Sequence, residues 1–143
     1  MRGQLSVEMF IAMSLALVFF GWLANFAGAW SSTQASSSVA AQERMVASSL
    51  ARLANAACVS SASVEITLPC ISVGSQTAPA YSVNATGSAV VVLAEGADYS
   101  PASVQTVCPV SGVFEAQCQG GNAGAACVWN FGGDARISSG ECP

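Results

Sequence analysis

The feature that most constrains this chain is a run of 22 residues, Met9 to Trp30, without one formal charge. As an α-helix rising ~1.5 Å per residue, the run reaches about 33 Å, enough to cross the hydrocarbon core of a bilayer. It is apolar on all sides, and such a helix belongs in lipid or among other apolar helices. A secretory signal usually has a shorter apolar region followed by a small-x-small cleavage site. Here a short basic leader, Met1 to Gly3, comes first, and Glu8 stands at the edge of the run, where a carboxylate is costly unless paired. After Arg2 the next basic residue is Arg44. The positive-inside rule therefore keeps the N-terminus in the cytoplasm and sends the rest outside.

Arg2, Gly3, Gln4, Ser6 and Glu8 follow one another in this order directly ahead of the apolar run, with Met9 next. The arrangement resembles the N-terminus of an archaeal type IV pilin precursor, the class III signal peptide, over residues 1–30. Family members often carry an aromatic residue where Met9 stands. The resemblance implies that a membrane-embedded prepilin peptidase cuts between Gly3 and Gln4 and that the apolar helix stays on the mature protein. Gly3 has no Cβ, which lets a protease approach extended backbone closely. Cleavage would place a new amine on Gln4, four residues before Glu8. An amine and a carboxylate one helical turn apart, or on two neighbouring subunits, attract strongly at low dielectric. In the family this pairing helps to register an incoming subunit. The other reading of Glu8 is a solvated charge at headgroup level that stabilises a helix N-terminus.

Composition bounds the remainder. The chain of 143 residues has no His and no Lys, and Lys+Arg total 4 against 8 Asp+Glu. So acidic a chain is a poor nucleic-acid binder, because phosphate contacts need Lys and Arg. Only 8 % of residues are charged, which suits a protein that buries much of its surface against copies of itself. The six cysteines, Cys58, Cys70, Cys108, Cys118, Cys127 and Cys142, all follow the apolar helix. Successive gaps of 11, 37, 9, 8 and 14 residues contain no C-x2-C pair, which argues against a zinc site or a thioredoxin-like redox pair. Three disulfides are expected, with connectivity open among 15 possibilities. Cys58 would tie the helix to the domain beyond it, and a bridge at the penultimate Cys142 would pin the C-terminus.

The expected organisation is α+β: a long N-terminal helix followed by a small disulfide-stapled antiparallel β domain. Residues 1–3 form the leader, 4–57 the helix and 58–143 an extracellular domain. Within the helix, 4–30 is membrane or filament core. In 39–57, Val39, Val46, Leu50, Leu53 and Ala57 mark one packing face, with Glu43, Arg44 and Arg52 on other faces. Unbroken, the helix would run about 80 Å. Gly21 and Gly28 weaken it, and close packing through small residues explains them better than a bend. After Cys58 the period becomes two. Strands are expected around Val64–Leu68, Tyr81–Ala85, Ser88–Ala94, Val104–Val110, Gly112–Gln117 and Ala126–Phe131, with Ser88–Ala94 central and buried on both sides. Gly87, Gly96, Pro101, Gly112, Gly120-Gly121-Asn122 and Gly132-Gly133-Asp134 punctuate them as turns.

Enzymatic chemistry finds little support. Without His or Lys, the usual acid–base partner and the Schiff-base nucleophile are missing, and no cofactor or metal is implied. Phe10, Phe19, Phe20, Trp22, Phe26 and Trp30 are better explained by packing than by electron conduction, with Trp30 at the membrane interface. Asn84-Ala85-Thr86 is an N-glycosylation sequon, although with 5 Asn and 26 Ser plus Thr in 143 residues about one is expected by chance. The resemblance then implies a structural subunit: a pilin of an extracellular archaeal type IV pilus-like filament, serving adhesion more than motility. The precursor would sit in the cell membrane and meet the prepilin peptidase and the pilus assembly machinery. It would then join a helical homo-polymer on the cell surface. The alternative is a single-pass, membrane-anchored extracellular binding module that never polymerises.

Overall fold

In the computed structural model the described residues are 4–73, 76–78, 80–95 and 100–143. They form one helix, α1 (Gln4–Ser60), and seven strands. The strands are β1 (Val64–Pro69), β2 (Ser72–Val73), β3 (Gln76–Thr77), β4 (Ala80–Ala94), β5 (Ala102–Gln117), β6 (Asn122–Phe131) and β7 (Asp134–Ser139). The chain divides into two compact units, Met1–Ala35 and Ser36–Pro143. The first holds the apolar part of α1. The second holds the amphipathic part together with every strand.

An α+β architecture is therefore present, with several changes to the expected sheet. Five strands lie in the order β1-β6-β7-β5-β4, and β2 and β3 form a separate two-stranded ribbon. The main sheet is mixed rather than antiparallel. The β6–β7 hairpin places β7 between β6 and β5, and β7 runs parallel to β5 where Val110 faces Ala135 and Ser111 faces Arg136. The sheet is also curled. β4 and β5 each cover two of the expected strands, and their pairing slips between Gly87 and Ala89, whose partners are Val110 and Gln105. The extra residues bulge on β5, the device that bends a strand. Gly87 sits at this bend with φ 66°, inside β4 rather than in a turn between strands. After the bend the ends of β4 meet, and the Glu95 N–H donates to the Ala80 carbonyl at 2.9 Å.

Residues Ser88–Ala94 are not a central strand. β4 is an edge of the sheet. Val90, Val92 and Ala94 are buried while Leu93 is exposed, so this arm packs on one face only. An apolar run does not by itself distinguish one buried face from two.

The core of the second unit lies between α1 and the concave side of the sheet. Val39, Val46, Leu50 and Ala57 are buried as the helical stripe requires, and Leu53 is partly buried. They meet Leu68, Ile71, Tyr81, Val83, Val90, Val92, Val128 and Ile137. Glu43 corrects the expectation that it falls on another face, being fully buried. It follows Val39 by four residues and precedes Val46 by three, which is the spacing of a shared helical face. Its Oε1 accepts from the Ala94 N–H at 2.7 Å, so a backbone donor at the end of β4 gains a partner inside the core. Arg44 and Arg52 are exposed, as expected.

Tyr81 is the largest fully buried side chain. Its hydroxyl donates to the Pro69 carbonyl at 3.0 Å, and burial pushes its phenol up to about 12. An unfolded tyrosine ionises near 10. The folded state thus keeps its proton where the unfolded state has begun to lose it. This contribution is complete below pH ~10 and is lost as pH rises through about 12. Wild-type stability is expected to fall by on the order of 1–2 kcal/mol across that window, and Tyr81→Phe should flatten the fall. Denaturant titrations at pH 9 and 11.5 on both proteins would check this. Parallel losses in both would place the alkaline transition elsewhere.

Candidate functional site

The first unit presents the feature on which the sequence reading turns. Val7–Gly28 forms 22 residues of helix at mean hydropathy 2.0, none of them buried within the molecule. Such a segment is long and apolar enough to anchor the chain in a membrane. Phe19, Trp22, Phe26 and Trp30 recur every three or four residues and so share one side of the helix. Their ring centroids lie 6.5, 5.8 and 6.1 Å apart, giving a continuous aromatic strip. Ser14 is neutralised locally, its hydroxyl donating to the Phe10 carbonyl at 2.8 Å.

Glu8 lies at the start of this surface, exposed and without an ion-pair partner among the described residues. Gln4 is the first residue of α1. One turn of helix, ~5.4 Å of rise, covers about the four-residue step between Gln4 and Glu8. Gly3 lies outside the described residues. A carboxylate inside an otherwise apolar surface needs a cation or water, and so needs something outside this apolar helix wherever that surface is covered.

The second unit, rich in small residues, is held together by disulfides and by polar side chains. All six cysteines are paired: Cys58 with Cys108, Cys70 with Cys118, and Cys127 with Cys142. Disulfides of this density point to an oxidising, extracellular environment. Cys58 joins the end of α1 to the bulge of β5, and Cys142 pins the C-terminus to β6, both as expected.

Four polar side chains, of which only Glu43 is named from the sequence and there placed on another face, bind α1 to the strands. The Gln42 amide clasps the backbone of Ser72, accepting from its N–H at 2.8 Å and donating to its carbonyl at 3.1 Å. Glu43 holds Ala94 as described above. Asn55 Oδ1 accepts from the Val107 N–H at 2.8 Å in the β5 bulge. Asn130 Nδ2 donates to the Ala57 and Cys58 carbonyls at 3.2 and 3.1 Å, closing the C-terminus of α1. Ser61 adds a cap: with φ 53° it turns back so that its N–H donates to the Ala57 carbonyl at 2.9 Å. All four bond to backbone groups, which no side-chain pattern reveals.

A surface cavity of about 570 Å³ opens beside Tyr81, Leu93 and Phe114, with Glu95 and Glu115 at its wall. No group of three or more His, Cys, Asp or Glu among the described residues is placed to hold a metal ion. Asn84 stands exposed on β4. No family profile, curated protein or solved structure matches the chain.

Proposed function

We propose that this chain is the structural subunit of an extracellular filament of the archaeal type IV pilin kind, assembled through its apolar N-terminal helix and serving adhesion. The observation that carries the reading is Glu8. It is a lone carboxylate one turn after Gln4, on a helix whose next 22 residues, Met9 to Trp30, have no charge. A simple membrane anchor does not need a carboxylate there, where it would only stabilise a helix N-terminus. A subunit whose helix must find register among identical helices does, because an amine released at Gln4 of one copy would neutralise Glu8 of its neighbour. In a filament the exposed apolar surface of Val7–Gly28 supplies the cohesion, at roughly 25 cal/mol per Å² kept from water. Its aromatic strip adds contact area, and the disulfide-tied second unit would coat the outside.

The test is the N-terminus and fate of the protein in its native cells. Filaments sheared from the cell surface should contain this chain beginning at Gln4. Glu8→Leu should be processed normally yet remain in the membrane fraction, with surface filaments reduced at least ~10-fold, the loss expected for one buried charge pair of about 1.4 kcal/mol or more. A chain that keeps Met1 or Arg2, stays membrane-bound and forms no filament would instead be an anchored binding module.

A further inference from the structure

We infer that Asn84 carries an N-linked glycan on the outward face of the β4–β5 hairpin. The residue is poorly explained by the fold alone. Asn is disfavoured within strands, yet Asn84 sits inside β4. Its cross-strand partner is Val113, which offers a carboxamide no hydrogen bond. The alternation of β4 points Val83 and Ala85 into the core and leaves Ser82, Asn84 and Thr86 facing out. Opposite them stand Glu115, Val113 and Ser111, all exposed. This patch is polar except for Val113, which is 73 % exposed and lies directly across from Asn84. Because β4 is an edge of the sheet, no further strand flanks the acceptor.

The sequon geometry is in place. The Thr86 hydroxyl donates to Asn84 Oδ1 at 2.6 Å. This fixes the carboxamide with its oxygen engaged and leaves Nδ2 without an acceptor among the described residues. The donor required is an oligosaccharide carried on a polyisoprenyl phosphate at the outer face of the membrane, the side on which disulfides form. Nδ2 attacks the anomeric carbon of the first sugar. The N–C bond forms and the bond from that carbon to the phosphate oxygen breaks. The lipid phosphate leaves with the electron pair, and Nδ2 gives up one proton to the transferase. The first sugar then covers Val113 with its apolar face. The inference rests on the extracytoplasmic placement of the second unit, and not on polymerisation. Where filaments form, it puts the β4–β5 face on their exterior.

The experiment is mass spectrometry of the full chain purified without reductant from its native cells, with free thiols alkylated. The peptide containing Asn84 is expected to be heavier by a whole number of sugar residues, with all six cysteines unlabelled. Asn84→Gln and Thr86→Ala should each return that peptide to its polypeptide mass, and Thr86→Ser should keep the modification in part. An unmodified Asn84 beside intact disulfides overturns the glycan while the outside placement stands. An unmodified Asn84 beside alkylated thiols overturns both.

Discussion

Gly112→Ala is expected to lower the thermal midpoint of the second unit by roughly 12–24 °C, the largest effect of any single substitution considered. Gly112 lies in β5 with φ 148°, where L side chains are rarely found. It is also where the backbone of β7 comes closest. A Cβ built on Gly112 would collide with the Ile137 carbonyl oxygen and would stand 2.9 Å from its carbon. Both obstacles are backbone, so no rotamer change relieves them. The next pairs along are Val110 with Ala135 and Ser111 with Arg136, the only parallel register in the sheet among the described residues. Forcing β7 away there loosens the strand that joins both halves of the sheet, at an expected cost of about 3 kcal/mol or more. Gly132→Ala is the matched control. It has φ 68° in the β6–β7 turn, with open space around its Cα. Backbone strain alone should cost it about 1 kcal/mol, or roughly 4–8 °C. Near-UV circular dichroism melts of the full-length protein in detergent would separate the two. Equal midpoints for the two variants would refute the close approach of β7.

The same glycine shows where sequence reasoning stops. Gly112 was expected to mark a turn, as was Gly87, because glycine between apolar runs usually does. Both instead sit inside long strands, one to admit a neighbouring backbone and the other to bend. Only tertiary contact tells these uses apart. β7 went unforeseen for a related reason: in Asp134–Ser139 only Ala135 and Ile137 point inward, and two small or medium side chains give too weak an alternation to register. The long helix, its packing stripe, β1 and the apolar run were legible because each depends on a repeated local signal; that the six cysteines pair followed from their even number, but which pairs with which did not. Glu43 has the spacing of the buried stripe, but a carboxylate is almost never fully buried unless paired, so its place on that face follows only from the structure. Its Oε1 bond to Ala94 lies 51 residues away in sequence, a separation at which periodicity carries no information. Of the candidate site, the order Gly3-Gln4-Glu8 and the sequon at Asn84 could be read directly. The outward face shared by Asn84, Thr86 and Val113 needed the register of β4 on β5.

Removing the Cys58–Cys108 bridge, as Cys58→Ser with Cys108→Ser, is expected to cost about 3.4 kcal/mol under non-reducing conditions. The bridge spans 50 residues of sequence, but the Cys70–Cys118 bridge remains, so the loop released runs through it and comprises about 22 residues, 12 from Cys58 to Cys70 and 10 from Cys108 to Cys118. The Cys127–Cys142 bridge spans only 15, and the corresponding double substitution should cost about 3 kcal/mol. The folded state does not depend on the first bridge alone for its geometry. Asn55 still accepts from Val107, one residue from Cys108, and Asn130 still donates to Ala57 and Cys58. The end of α1 should therefore stay docked on the β5 bulge, and native circular dichroism should be retained at low denaturant. The loss should appear as a lower urea midpoint. Adding Asn55→Ala to the double mutant tests this division. With the bridge gone, Asn55 and Asn130 still bond near the end of α1, and Gln42 and Glu43 farther along it; in the triple mutant the Val107 N–H would lose its side-chain acceptor, adding about 1 kcal/mol. Should the shorter bridge prove the costlier one to remove, loop closure would not be the main contribution. Stability would then reside in native-state contacts at the C-terminus, where Cys142 holds the end of the chain against β6.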